Sequence, residues 1–311
     1  MVKALESKEH RKIKTILEKK LNEWLKASIR EYEISGHRSD IYSVTNDGIT
    51  IVVEIIWSPK MVDKDIILLH EIQSDVKIVV VNPSIINNEK YNRGLQKLIA
   101  IQTKNRNIIS KLIDGIRILK DPEFVDGELK DNIFKLIEKA RNKNPPKLES
   151  PDGFGKIVWR LSYPHTLPLL YPPQMRFPIT LAIRNMGQRP IFCKVIIESL
   201  NACLFFKPLQ PFEVSRKKWL GLKSKKEKLW ATLVDYRETA LIPESWKNFS
   251  FHTIYIPGRF DLALAKQLEL RYSFHFQDQI TKEKAFLGPH AEYIDLYFPS
   301  TNWRSQFFNQ R

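Results

Sequence analysis

Over residues 7–27 the apolar positions Ile13, Ile16, Leu17, Leu21, Trp24 and Leu25 recur every three or four residues with charges between them. That period predicts an amphipathic helix burying one stripe. The pattern then shortens to strand-like runs: Arg30 to Ser35, turning at Gly36, and two segments around Asp40 and Glu54 joined by Asn46-Asp47-Gly48. Such a triplet between β-branched runs predicts a hairpin. Val62 to Ile72 has helical spacing, and Val76 to Val81 is a β-branched run stopped by Pro83, as in a strand covered on both faces. A helix near Tyr91 to Leu112, a short strand Gly115 to Leu119 and a helix near Gly127 to Asn142 complete the first half. The expected order is helix, three strands, helix, strand, helix, strand, helix, an α/β unit with a mixed sheet.

The texture changes after residue 142. Residues 143–154 are polar, contain Pro145, Pro146 and Pro151, and have no apolar period, which marks them as a linker between a first domain of residues 1–142 and a second of 155–311. Beyond it come Ile157 to Tyr163, Phe177 to Arg184, Ile191 to Leu200, Leu229 to Leu233, Phe249 to Ile256, Leu268 to Phe276 and Tyr293 to Phe298. Short strands at this spacing predict an all-β antiparallel sandwich. The pair Phe177 to Gly187 and Ile191 to Ile196 resembles a hairpin of immunoglobulin-like modules.

Composition narrows the partners. The chain has 311 residues and a formal charge of +15, which favours a polyanion. Residues 1–145 carry 26 Lys and Arg against 21 Asp and Glu, and residues 146–311 carry 24 against 14, so the later stretch has the larger excess. Much of it is one run, Arg216, Lys217, Lys218, Lys223, Lys225, Lys226 and Lys228 around Glu227, which reads either as a solvated hairpin tip or as a patch contacting phosphates. No apolar run is long enough to span a membrane, and the charged N-terminus does not read as a signal peptide, so a cytoplasmic location and no membrane partner are expected. Cys193 and Cys203 match no metal-ligand spacing and read as buried strand residues.

The chemistry concentrates at Asp40 and Glu54. Glu54 interrupts the apolar run from Ile49 to Trp57, and a carboxylate in a buried strand is costly without a partner. Two such hard oxygen donors on neighbouring strands suit Mg²⁺ beside a phosphodiester.

The order of elements, with Ser39-Asp40 and Glu54-Ile55-Ile56, resembles the PD-(D/E)XK, or restriction-endonuclease-like, nuclease superfamily. Within it the chain is similar to the CoiA-like competence-protein group on Glu9-His10, Lys14, Arg38-Ser39-Asp40 and Glu54-Ile55-Ile56-Trp57-Ser58. The resemblance implies a DNA-directed, Mg²⁺-dependent endonuclease fold with Asp40 and Glu54 as metal ligands and Glu9, or else Glu18, completing the site. It departs at Ile56, where the family keeps a Lys or Gln that orients water. Lys60, Lys64 or Lys14 would have to supply that cation. Without one, the fold serves as a catalytically dead module that grips nucleic acid, or a protein partner through the C-terminal half.

Overall fold

A computed structural model of the protein describes residues 7–25, 28–30, 33–34, 37–58, 74–89, 91–96, 99, 109–163, 166–168, 175–199, 204–208, 231–235, 239–255 and 267–297. It is a mixed α/β structure in which strands predominate, and it divides into two compact units at Pro145–Pro146.

In the first unit α1 (Lys8–Leu25) precedes β1 (Ser28–Arg30), and β2 (Glu33–Ile34) pairs with β3 (His37–Arg38) as a small separate hairpin. The main sheet runs β1, β4 (Ile41–Val44), β5 (Thr50–Ile56), β6 (Val76–Val81) and β7 (Ile109–Asp114). Its first two pairings are antiparallel and its last two parallel, the mixed sheet that the sequence predicts. The β4–β5 turn needs a residue with positive φ, which Gly48 supplies at +86°. Thr45 Oγ1 donates to Asp47 Oδ1 at 2.6 Å, and Arg141 clamps both Asp47 oxygens, with Nε at 2.7 Å from Oδ2 and Nη2 at 3.0 Å from Oδ1.

β5 and β6 are buried along their whole length, and their side chains alternate between two cores. Ile51, Val53, Ile55, Val76, Ile78 and Val80 pack with Ile13, Leu17 and Leu21 of α1. Ile56, Val79 and Val81 pack the other way, against Ile85 and Leu95. α2 (Pro83–Ile86) follows β6, and α3 (Gly115–Lys120), α4 (Pro122–Phe124), a π-helical turn (Val125–Leu129) and α5 (Lys130–Lys143) follow β7.

Two elements differ from expectation. The helix predicted to reach Leu112 has already given way to β7, because Ile109, Leu112 and Ile113 complete a third parallel strand beside β6. Gly115 to Leu119, predicted as a strand, is helical because the Asp114 side chain accepts from Ile116 N at 2.8 Å and caps a new helix. The segment Val62 to Ile72 lies outside the described residues.

The second unit holds two sheets, antiparallel except where β10 (Thr166–Pro168) runs parallel to β18 (Lys284–Tyr297). One is ordered β13 (Leu204–Pro208), β16 (Trp246–Tyr255), β11 (Met175–Asn185), β9 (Ile157–Ser162), β8 (Lys147–Glu149). The other is ordered β10, β18, β17 (Gln267–Asp278), β12 (Ile191–Ser199), β14 (Ala231–Asp235), with β15 (Thr239–Leu241) also on β12. Residues 143–154 are therefore no bare linker: β8 lies within them as an edge strand paired to β9. Alternate residues of both sheets, among them Trp159, Leu181, Val195, Phe274 and Ile294, form one core that includes the buried Cys193. Gly155 lies so close to Gly187 that a Cβ added there would meet the Gly187 Cα at 2.5 Å.

At one margin of this core Glu292 gathers three donors: Lys147 Nζ at 2.9 Å, Tyr163 Oη at 2.9 Å and Tyr272 Oη at 3.4 Å. Lys147 also sits 4.7 Å over the Trp159 ring. Burial opposes ionisation of Glu292, yet the bonds from Lys147 and Tyr163 outweigh it and hold the carboxyl below its ordinary range. Because the folded pKa is depressed, this stabilisation is present at neutral pH and is lost as pH falls through the folded value. Glu292→Ala, which strands two tyrosine hydroxyls, should cost about 2–3 kcal/mol in urea denaturation at pH 7. Glu292→Gln should cost less, and the gap between wild type and Gln should narrow as pH falls through the depressed folded value of Glu292.

Candidate functional site

The first turns of α1 lie over the start of β4 and the end of β5, and three side chains meet there. Lys14 is buried at 3% exposure although it is a lysine, because its stem joins the stripe of Ile13 and Leu17 while its head finds Asp40. Lys14 Nζ is 2.8 Å from Asp40 Oδ1. His10, one turn earlier on α1, places Nε2 3.3 Å from Asp40 Oδ2. The same Oδ2 accepts the backbone N–H of Ile55 at 2.8 Å, which fixes the carboxylate against β5. Burial pushes the Asp40 pKa up, but the hydrogen bond and charge of His10 and the charge of Lys14 prevail and hold it below the usual carboxylate range.

Glu54 is a neighbour of Asp40 in the sheet. The β4–β5 register pairs Ile41 with Val53 and leaves Asp40 and Glu54 at the next positions, but Asp40 is held under α1 while Glu54 lies on the opposite face, so the two carboxylates are not brought together as one site. Glu54 is buried, at 8% exposure. Strand alternation turns it away from the face of Val53 and Ile55 and onto that of Ile56. Lys77 of β6 is fully buried on the same face, its partner Val52 standing two residues before Glu54, a cation position that the sequence pattern did not single out. A lysine inside a β-branched run was the available signal.

The remaining sequence candidates divide sharply. Glu9 is exposed at the start of α1, one residue before His10, and Glu18 is half-buried two turns further on. Lys60, Lys64 and the basic run from Arg216 through Lys217, Lys218, Lys223, Lys225 and Lys226 to Lys228 lie outside the described residues. Among the described residues no three His, Cys, Asp or Glu side chains gather as a metal centre. Both Asp40 oxygens are already engaged, Oδ1 by the Lys14 ammonium and Oδ2 by His10 and the Ile55 N–H, so a Mg²⁺ ion there would meet the charge of Lys14 at 2.8 Å from its ligand. The donor set as arranged does not fit the ion.

No protein-family profile matches the chain, and no curated protein is similar to it. Its solved neighbours are distant. A FixG-related protein from Vibrio parahaemolyticus is 8% identical over 45% of this chain and 95% of its own, with a TM-score of 0.26. A protein described as a putative ApaA, from Bordetella pertussis, is 14% identical over 51% and 98%, also at 0.26. A protein from Archaeoglobus fulgidus is 10% identical over 49% and 100%, at 0.23. Similarities at this level carry no argument about function.

The ion pair makes a quantitative prediction. Lys14→Met leaves the Asp40 carboxylate under α1 without its nearest cation and should destabilise by about 3–5 kcal/mol. Lys14→Met combined with Asp40→Asn should cost less than the sum of the single changes, by roughly 1–3 kcal/mol. Equilibrium denaturation of the four proteins reads this directly, and additive losses would show that the two side chains do not act as a pair. Since the Asp40 pKa is depressed, the wild-type advantage should shrink as pH falls through its folded value.

Proposed function

We propose that the protein binds nucleic acid through a nuclease-like first unit that grips its ligand without cutting it. The observation behind this reading is that Asp40, the better defined of the two acidic candidates, is engaged at both oxygens by Lys14, His10 and the Ile55 N–H. The formal charge of +15 supports a polyanionic ligand, and the likeness of the Asp40 and Glu54 segments to restriction-endonuclease-like nucleases supports DNA. In such a protein Lys14 occupies the place a metal takes in an enzyme, so the carboxylate holds α1 in position instead of activating water. The all-β unit, as a two-layered sandwich, then acts as a targeting or protein-interaction module in the cytoplasm.

A labelled duplex in an electrophoretic shift assay should be retained with EDTA present, and supercoiled plasmid incubated with Mg²⁺ or Mn²⁺ should remain intact. Calorimetry with Mn²⁺ should give no isotherm for the wild type. Metal-dependent nicking that disappears in Asp40→Asn would overturn this reading in favour of an active endonuclease whose working cation is Lys14.

A further inference from the structure

A groove of about 460 Å³ is lined by residues of β7, the last strand in the sheet order, and of α5. Three of its lining side chains are lysines, Lys111 on β7 and Lys135 and Lys139 on α5. Lys135 and Lys139 are exposed and four residues apart, so they stand on one helical face. Lys111 is held at the groove wall by donating to Asn132 Oδ1 at 2.6 Å. The acid of the lining, Glu138, has an oxygen 3.1 Å from Arg141 Nη1, a guanidinium it shares with Asp47, and the three lysines still outnumber it. Ser110 and Asn142 add groups that donate as well as accept.

We propose that this groove seats the phosphodiester backbone of one nucleic-acid strand. Three ammonium groups in one concavity, with the single acid drawn to Arg141, create a positive potential suited to anionic oxygens. Among the described residues no aromatic side chain lines the groove, so they offer no platform on which a base would stack. Contacts there are to phosphate and carry no sequence preference. The inference rests on the nucleic-acid reading above and adds where the strand runs.

Fluorescence anisotropy with a labelled single strand and a labelled duplex, each titrated over a range of salt, tests it on the full chain. Lys135→Gln/Lys139→Gln changes the groove, and Lys12→Gln/Lys19→Gln on the exposed side of α1 removes the same charge elsewhere. The groove variant should lose about 1.8 from the slope of log K against log salt on duplex, or about 1.4 on single strand, while the α1 variant changes the slope far less. The arm in which the loss reaches its own expected value identifies which form presents the strand. An unchanged slope in the groove variant, or equal losses in the two variants, would overturn the groove as the site while leaving nucleic-acid binding intact. Absence of salt-dependent binding by the wild type in both arms would overturn both.

Discussion

Lys14 cannot withdraw from Asp40 without stranding a carboxylate under α1, and this constraint organises the first unit. α1 brings its apolar stripe to the sheet, but a stripe alone leaves rotation and sliding along β4 and β5 undecided. The 2.8 Å contact of Lys14, the approach of His10 and the Ile55 N–H bond fix both at once. A buried charge pair of this kind adds less to net stability than hydrophobic residues of the same size would, while breaking it is expensive. Its contribution is register, and the groups that set the register are the groups that a catalytic site would need free.

The same tension appears in the sheet. β5 and β6 pack apolar side chains on both faces, which supplies most of the cohesion of the unit, yet Glu54 and Lys77 are inserted into those runs. Buried polar groups in such positions persist only where their surroundings compensate them. Both lie on the Ile56 face, opposite α1, so the unit has charged chemistry on either side of one sheet.

Elements with strong periodicity were legible in the sequence: α1, the β4–β5 hairpin at Gly48, the doubly covered β6 and α5 all follow from spacing and turn residues. The errors lie where a short apolar run suits either structure. Gly115 to Leu119 has strand-like content, and the decision belongs to the cap at Asp114, a single hydrogen bond that periodicity does not register. β7 and β8 were missed because pairing is non-local: each becomes a strand only when β6 or β9 lies alongside. At the candidate site Glu54 was legible as an interruption of an apolar run, and Asp40 through the Ser39-Asp40 pair ahead of the hairpin. That Lys14 of α1 would reach Asp40 depended on how α1 packs across the sheet, which no local pattern encodes. The groove lysines went unnoticed because Lys135 and Lys139 look like an ordinary solvated face until β7 brings Lys111 opposite them.

The parallel pairing of β10 with β18 joins residues 166–168 to residues 295–297. During synthesis the early strand of that pair leaves the ribosome long before the late one exists, so the second unit cannot close this sheet until residues 284–297 have been made. Among the described residues of the first unit every strand pairing falls within residues 28–114, so its sheet waits on no comparably late segment. In the interval the margin of β17 that β18 will cover is an open template for another strand.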